Sequence, residues 1–297
     1  MAPQKLTVMI LILVLSFVPS PRAGQSTEKP RIGFCVSMIY SPLLMYKRYQ
    51  PLMDYLTEHT PYQFDLILCR SNREALHAFG RGKAQIALLD DISFMEASEK
   101  FKALPILKPL NAEGAPVIRS TIVVSSRSPI RTLGDLRGKR VAFGPHHSTT
   151  RNLLPHYLLW KNGIDLSEIE SVKNIGNQSE VVKAVLSGTC DAGALAEGVA
   201  EKYAHLGLRI LASSHPLPSL PILVRKDASR ELVRTVSSAL LNLDRNNPRH
   251  EETMKQWDPG LRYGFTNART SDYQQVIRMY RSIPAGCGQR CHPKAGS

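Results

Sequence analysis

Residues 120–143 run Ser120-Thr-Ile-Val-Val-Ser-Ser-Arg-Ser-Pro-Ile-Arg-Thr-Leu-Gly-Asp-Leu-Arg-Gly-Lys-Arg-Val-Ala-Phe143. Ser120–Ser125 is dense in β-branched side chains, which fit the pleated, half-buried surface of a sheet, and predicts a strand. Ser128–Gly138 predicts a short helix, begun at Ser-Pro and closed by Gly138, which has no Cβ to resist the turn that ends a helix. Lys139-Arg-Val-Ala-Phe143 returns to strand. Strand, helix and strand in such short steps are the grammar of a mostly parallel sheet.

The same grammar extends in both directions. Downstream, Ser148-Thr-Thr150 caps a helix running to about Asn162, with Gly163 just past its end. Ser179–Leu186 predicts another helix, Cys190–Leu195 a strand, and Leu208–Leu211 with Pro221–Val224 the strands that complete a second sheet. Helices are expected over 228–243 and 273–281. Upstream, Arg31–Val36, Phe64–Leu68 and Ala84–Leu89 read as strands. Tyr46–Thr57, with Tyr49, Leu52, Met53 and Leu56 on one face, and Asn72–Arg81 read as the helices between them. Trp160 and tyrosines 46, 49 and 55 stand at helical spacings and read as core.

This is a two-lobe α/β architecture, each lobe a mostly parallel sheet flanked by helices. The chain crosses between lobes near Ile118–Thr121 and Ser213–Pro221. Lobe 1 is expected to hold 28–117 and 216–284, lobe 2 to hold 118–215, and 285–297 forms a tail. A hinged pair of this kind takes its ligand between the lobes, at strand C-termini and helix N-termini.

Composition bounds the function. The 297 residues are 43% hydrophobic and 21% charged, an ordinary globular balance. No run of about 18 apolar residues marks a multi-span membrane protein. The net charge of +13 points to anionic partners, but the basic residues are dispersed and form no nucleic-acid-binding block. Lys5, the apolar run Leu6–Val18 and the small-residue end at Ala23-Gly24 read as a secretory signal peptide over 1–23. Export to an oxidising compartment permits disulfides among Cys35, Cys69, Cys190, Cys287 and Cys291, an odd set that leaves at least one thiol otherwise engaged.

Several spaced segments, in order, resemble one family. They are Ser120–Phe143, Ser148-Thr-Thr-Arg-Asn-Leu-Leu-Pro155, Val185-Leu-Ser-Gly-Thr-Cys-Asp-Ala-Gly193, Pro218-Ser-Leu-Pro-Ile-Leu-Val-Arg-Lys226 and Ile86–Ala97. Together they resemble the periplasmic phosphate/phosphite/phosphonate-binding proteins of ABC importers. The resemblance runs from about Arg31 to Ile283 and implies the type II periplasmic binding fold, closure on a small oxyanion, and no catalysis. It also implies a monomer delivering its ligand to an ABC permease or, in some relatives, a receptor for a membrane sensor kinase.

The family's anion loop, a hydroxyl-rich segment opening a helix, matches Ser148, Thr149, Thr150 and Arg151, with arginine in place of a glycine. Hydroxyls and free N–H groups at the positive end of a helix favour an oxyanion on physical grounds alone. The plainer reading makes Ser148 or Thr149 an N-cap only. Other family ligand positions fall on Asn72 and Leu89, where phosphonate binders carry tyrosine, and on Asn177-Gln178, where they carry histidine. Asp90 and Asp91 stand where a neutral loop is usual, and Glu197 stands at a later acidic position of the cleft. The candidate ligand-binding set is therefore Ser148, Thr149, Thr150, Arg151, Asn72, Asp91, Gln178 and Glu197. His146-His147 precedes the loop and either joins the anion site when protonated or stays solvated.

Cys35 and Cys69 each end a strand and read as small buried hydrophobes, as a thiol pair lining the pocket, or as disulfide partners. The tail Cys287-Gly-Gln-Arg-Cys291-His292 is one residue longer than the C-x-x-C-H haem signature. It reads as a disulfide loop, as a covalent c-type haem site with His292 on the iron, or as free thiols or an adventitious metal site. A haem would need a second axial ligand, for which His146, His147, His156 and Met279 are candidates. No other cofactor is expected.

Overall fold

The computed structural model describes residues 28–282 apart from His147. The export segment (1–23) and the tail carrying Cys287, Cys291 and His292 lie outside the described residues.

In the first sheet, β1 (Arg31–Ser37) is buried without interruption over Ile32–Val36, because helices cover both of its faces. It pairs in parallel with β2 (Gln63–Cys69) on one side and β3 (Ile86–Leu88) on the other. The crossovers are α1 (Pro42–His59) and α2 (Asn72–Gly80), and α3 (Asp91–Phe101) leads on to β4 (Leu104–Pro109). The predicted face of α1 is the observed one: Met45, Tyr49, Leu52, Met53 and Leu56 are buried. Tyr46 corrects the core reading, since it is 54% exposed on the opposite face.

The second sheet comprises β6 (Ser120–Ser125), β7 (Arg140–Phe143), β8 (Ser171–Asn174), β9 (Ala192–Ala196) and β10 (Leu208–Ser213), in the order β10-β6-β9-β7-β8. Its two faces alternate along each strand, as a period of two requires. Ile122, Val124, Val141 and Phe143 pack under α4 (Leu154–Lys161), while Val123 and Ala142 pack under α5 (Gln178–Leu186). The expected helix over 128–138 shrinks to one 3₁₀ turn, Leu133–Leu136. There the Asp135 carboxylate takes the N–H groups of Arg131 and Thr132, at 2.8 and 2.9 Å, and holds the chain in a capping turn.

Between the sheets run two short strands, β5 (Val117–Ile118) and β11 (Leu217–Pro218), paired antiparallel. Beyond them β12 (Ile222–Val224) enters the first sheet between β3 and β4, antiparallel to both. Residues 221–224 therefore do not complete the second sheet, as the sequence suggests. The chain returns to the first sheet at the edge where β4 left it, so its returning strand must run the other way. The sheets are accordingly mixed rather than mostly parallel: β13 (Phe265–Asn267) is also antiparallel to β4, and β6 is antiparallel to both β9 and β10. The remaining helices are α6 (Glu197–Tyr203), α7 (Arg230–Leu241), α8 (Pro248–Lys255) and α9 (Gln274–Ser282). No helix among the described residues is long and apolar enough to cross a membrane.

Cys35, Cys69 and Cys190 are free and buried. The first two sit with Phe79, Phe94 and Tyr273 under α2 and α3. Burial pushes the Cys35 thiol far up and the Cys69 thiol up to about 11, so both stay protonated. They behave as small hydrophobes, and neither the disulfide nor the pocket-lining reading holds for this pair. His156 packs edge-on against Phe143 with ring centroids 4.5 Å apart, and Met279 lies among Leu153, Leu154, Leu217 and Val276.

Gly193 of β9 lets α5 lie close on the sheet, since a Cβ there would stand 2.6 Å from Val181 Cγ1 and 2.9 Å from Val185 Cγ2. Gly193→Ala is expected to lower the unfolding free energy by about 1–3 kcal/mol in urea titrations. Adding Val181→Ala removes the nearest clashing methyl, so the double variant should lose less than the sum of the single losses. Strict additivity would show that α5 is not held against β9 by this contact.

Candidate anion-binding site

The edge of the second sheet from which α4 springs is built by one proline. Pro155 has no N–H to give to the carbonyl of Arg151, the acceptor four residues before it. That carbonyl instead accepts the N–H of Gly144 at 2.7 Å, and the opening turn Thr149–Leu153 winds as a π-helix before α4 begins. Gly144 is required here, because a Cβ would lie 2.4 Å from Arg151 Cβ. The buried Asn152 amide donates to the Gly144 carbonyl and to Asn174 Oδ1, each at 3.1 Å. Asn174 Nδ2 in turn lies 3.3 Å from His146 Nε2. The loop between β7 and α4 is thus held at both ends and in the middle.

Among the described residues, this loop presents donors with nothing to bind. Ser148 stands at the N-cap position, yet its side chain makes no capping hydrogen bond, so the N-cap-only reading fails for it. The N–H groups of Thr149, Thr150 and Arg151 have no acceptor among the described residues. Thr149 is 4% exposed, and its Oγ1 is buried without a partner, as is Ser120 Oγ on the neighbouring strand β6. A buried hydroxyl left unpaired costs about 1–3 kcal/mol, which a hydrogen-bonding ligand would recover.

Arg151 reaches back from this turn and donates from Nη1 to the Gly176 carbonyl at 2.7 Å. Burial holds its guanidinium below the usual arginine range, and no described carboxylate pairs with it. Gln178 and Glu197 begin α5 and α6 at the same sheet edge, but both already have partners. Gln178 Oε1 accepts the Ala196 N–H at 2.9 Å, and Glu197 pairs with Arg119 at 3.2 Å.

The first sheet brings Asn72 and Asp91 to its own strand C-termini. Asn72 begins α2 and donates from Nδ2 to Asp90 Oδ2. Asp91 begins α3, with Asp90 as the N-cap taking the Ser93 N–H at 2.7 Å. Burial pushes the Asp90 carboxyl up to about 6. Three more residues at this edge carried no sequence signal. Tyr40 follows β1, Arg48 on α1 lays its guanidinium carbon 4.2 Å over the Tyr40 ring, and the buried Asp258 lies 3.6 Å from Arg48 Nη1. Burial and the Asp258 charge push the Tyr40 phenol above its usual range, while the charges of Arg48 and Arg151 oppose that rise. No cluster of three or more His, Cys, Asp or Glu side chains suited to a metal occurs among the described residues.

The family profile described as ABC transporter, phosphonate, periplasmic substrate-binding protein matches residues 34–273. The chain belongs to this family, which places it in the periplasm. It is 24% identical over 227 residues to the phosphonates-binding periplasmic protein of Escherichia coli, covering 72% of this chain and 66% of that protein. A probable ABC transporter phosphite binding protein of Prochlorococcus marinus is 32% identical over 87 residues, 29% of each chain. Among solved structures, a binding protein component of an ABC phosphonate transporter from Pseudomonas aeruginosa aligns with a TM-score of 0.71 at 17% identity, over 91% of both chains. A Prochlorococcus marinus protein in complex with methylphosphonate aligns at 0.73 and 17%, over 86% of this chain and 98% of that one. These neighbours share the type II periplasmic binding fold.

Asp90 supplies a pH test. Its native carboxyl titrates near 6 against an ordinary value of 3.8, so between those pH values the native state holds the extra proton. Stability then falls as pH rises from about 4 to 6, by up to about 3 kcal/mol, and levels off above that. Asp90→Asn keeps an N-cap acceptor and removes the titration. Its unfolding free energy, relative to wild type, should rise across pH 4–6; a constant difference would place the Asp90 carboxyl in solvent.

Proposed function

We propose that this protein is the substrate-binding component of an ABC importer, capturing a small tetrahedral oxyanion of the phosphonate or phosphite kind between two lobes. The observation that carries the reading is the buried Thr149 Oγ1, without a partner, beside the N–H groups of Thr149, Thr150 and Arg151, which have no acceptor among the described residues. Those groups, with the Ser148 hydroxyl, converge on the start of a helix, where partial positive charge already favours an anion. Thr150 adds a further hydroxyl at the same turn. The matching family is one of substrate-binding components of transporters, which supports a binding role.

Lobe 1 (28–117 with 216–284) and lobe 2 (118–215) turn about the paired segments β5 and β11, closing on the ligand as a monomer that then docks on its permease. The signal peptide over 1–23 delivers it to the periplasm. Gln178 and Glu197 shape the cleft by holding α5, α6 and Arg119 in place, while Asn72 and the backbone at the start of α3 set the opposite wall. The comparisons lend nothing to a sensor-kinase receptor or to a haem protein.

Isothermal calorimetry against phosphite, phosphate, methylphosphonate and sulfate tests the reading. Ser148→Ala combined with Thr149→Ala is expected to weaken the best ligand by about 3–6 kcal/mol, two hydrogen bonds to a charged group at ~1.5–3 each. Small-angle scattering should show a smaller radius of gyration with ligand present. Unaltered affinity in the double variant would move the site away from this turn.

A further inference from the structure

We propose that the groove between α4, α9 and the crossing segment 214–217 is a second ligand site, which takes an organic anion with an apolar body. It uses none of the groups at Ser148–Arg151, so it does not depend on the function proposed above.

Three elements build the groove. Leu154, Tyr157 and Trp160 come from α4, Leu217 from the crossing segment, and Met279 from α9. Packing fixes these elements on one another, since Leu153, Leu154, Leu217, Val276 and Met279 form one buried cluster. The start of α9 is held to the first sheet's layer, because Tyr273 just before it is buried against Phe94 of α3 with ring centroids 4.9 Å apart. The groove therefore spans the place where the two sheets are joined. Its volume is about 600 Å³, and cavities of about 300–1,000 Å³ hold small organic molecules. The family match ends at residue 273, one before α9 begins, so one wall of the groove is made by residues outside that match.

The lining divides into an apolar floor and a basic rim, and this division selects the ligand. Leu154, Leu217 and Met279 are buried, and the half-buried Tyr157 and Trp160 stand with ring centroids 5.8 Å apart. Such rings offer a ligand a large apolar contact at fixed positions. Lys161 and Arg278 are exposed, and no acidic side chain among the described residues lines the groove. Lys161 Nζ lies 5.9 Å over the Tyr157 ring, which draws its charge to the aromatic wall. Neither cation is paired with a described carboxylate, whereas Arg281, three residues further along α9, takes Glu99 at 3.3 Å. An apolar body ending in a carboxylate or sulfonate matches floor and rim together, and an amine of the same shape meets like charge. The tail 283–297 follows Ser282, which lines the groove, but it carries Arg290, His292 and Lys294 and no acidic side chain. Its side chains repeat the charge of the rim, so charge complementarity favours a separate anion as the occupant.

The test is calorimetry on the full chain at neutral pH with 4-phenylbutyrate, 4-phenylbutanol and 4-phenylbutylamine, probes of one shape and different charge. The carboxylate is expected to bind about tenfold or more tighter than the other two, the scale of one charge-assisted hydrogen bond. Lys161→Gln combined with Arg278→Gln should bring that ratio close to one and leave the affinity for the alcohol in place. Both side chains are exposed, so the double variant keeps its core. The carboxylate should also change the tryptophan emission of the wild-type chain, and Trp160→Phe should abolish that change. Equal affinity for carboxylate and alcohol, no binding of the carboxylate, or an emission change that survives Trp160→Phe would each overturn the proposal. A carboxylate preference that persists in the double glutamine variant would overturn it too. So would binding that appears only after Ile283→Ser with Pro284→Ser, a result that assigns the groove to the chain's own tail. All of these outcomes leave the oxyanion-binding function standing.

Discussion

The pairing of β5 with β11 is the constraint on which the remaining geometry depends. The two segments that cross between sheets bond to each other, Leu217 opposite Ile118 and Pro218 opposite Val117. Further bonds lace their flanks: Ser120 and Ser214 exchange bonds at 2.9 and 3.0 Å, and the Tyr273 hydroxyl donates to the Ser219 carbonyl at 2.8 Å. Because both crossings leave from one place, the strands that carry the chain out and back, β6 and β12, run against their neighbours. The strands β1–β4 and β7–β10 then all end at the edges facing the crossing. Helices α2 to α6 begin at those edges.

Much of this frame was legible in the sequence because hydrophobic period and stop residues carry it. Ser120–Ser125 is a strand over the predicted residues, and Ser179–Leu186 falls one residue short of α5. What escaped has physical reasons. Leu104–Pro109 contains two prolines and a lysine, and β8 reads Ser-Val-Lys-Asn with two exposed positions, so neither shows a strand's pattern. Each is an edge or next-to-edge strand that its neighbours hold in place. The π-wound start of α4 was invisible because it arises from Pro155 acting four residues upstream, not from the residues of the turn itself.

The site divides along the same line. Its hydroxyl turn stands out locally, as residues adjacent in sequence that share one helix start. Tyr40, Arg48 and Asp258 are separated by up to 218 positions and acquire meaning only when α1 and the segment after α8 are packed together. Gln178 and Glu197 were readable as polar residues at helix starts, but their bonds to Ala196 and Arg119 make them supports of the wall. Sequence position marks a residue as near the cleft; the hydrogen-bond inventory decides whether it still has capacity for a ligand.

That inventory also gives the cleft its sign. Burial shifts carboxyl groups and guanidinium groups in opposite directions on the pH scale, and both shifts favour the neutral form. Their consequences differ because the starting points differ. Asp90, with its carboxyl near 6, and Asp258, raised for the same cause, are brought toward neutral pH and hold their negative charge less firmly. Arg151, lowered from an ordinary value of 12.5, remains a cation at any physiological pH. Desolvation thus weakens the acids of the cleft while leaving its bases charged. The Thr149 hydroxyl, and Arg151 with no carboxylate partner among the described residues, are unfavourable as they stand, and the anion proposed as ligand would relieve both. Pro155, Gly144 and Asn152 hold the turn in this state, and in the function proposed for it the relief of these groups contributes to the binding free energy.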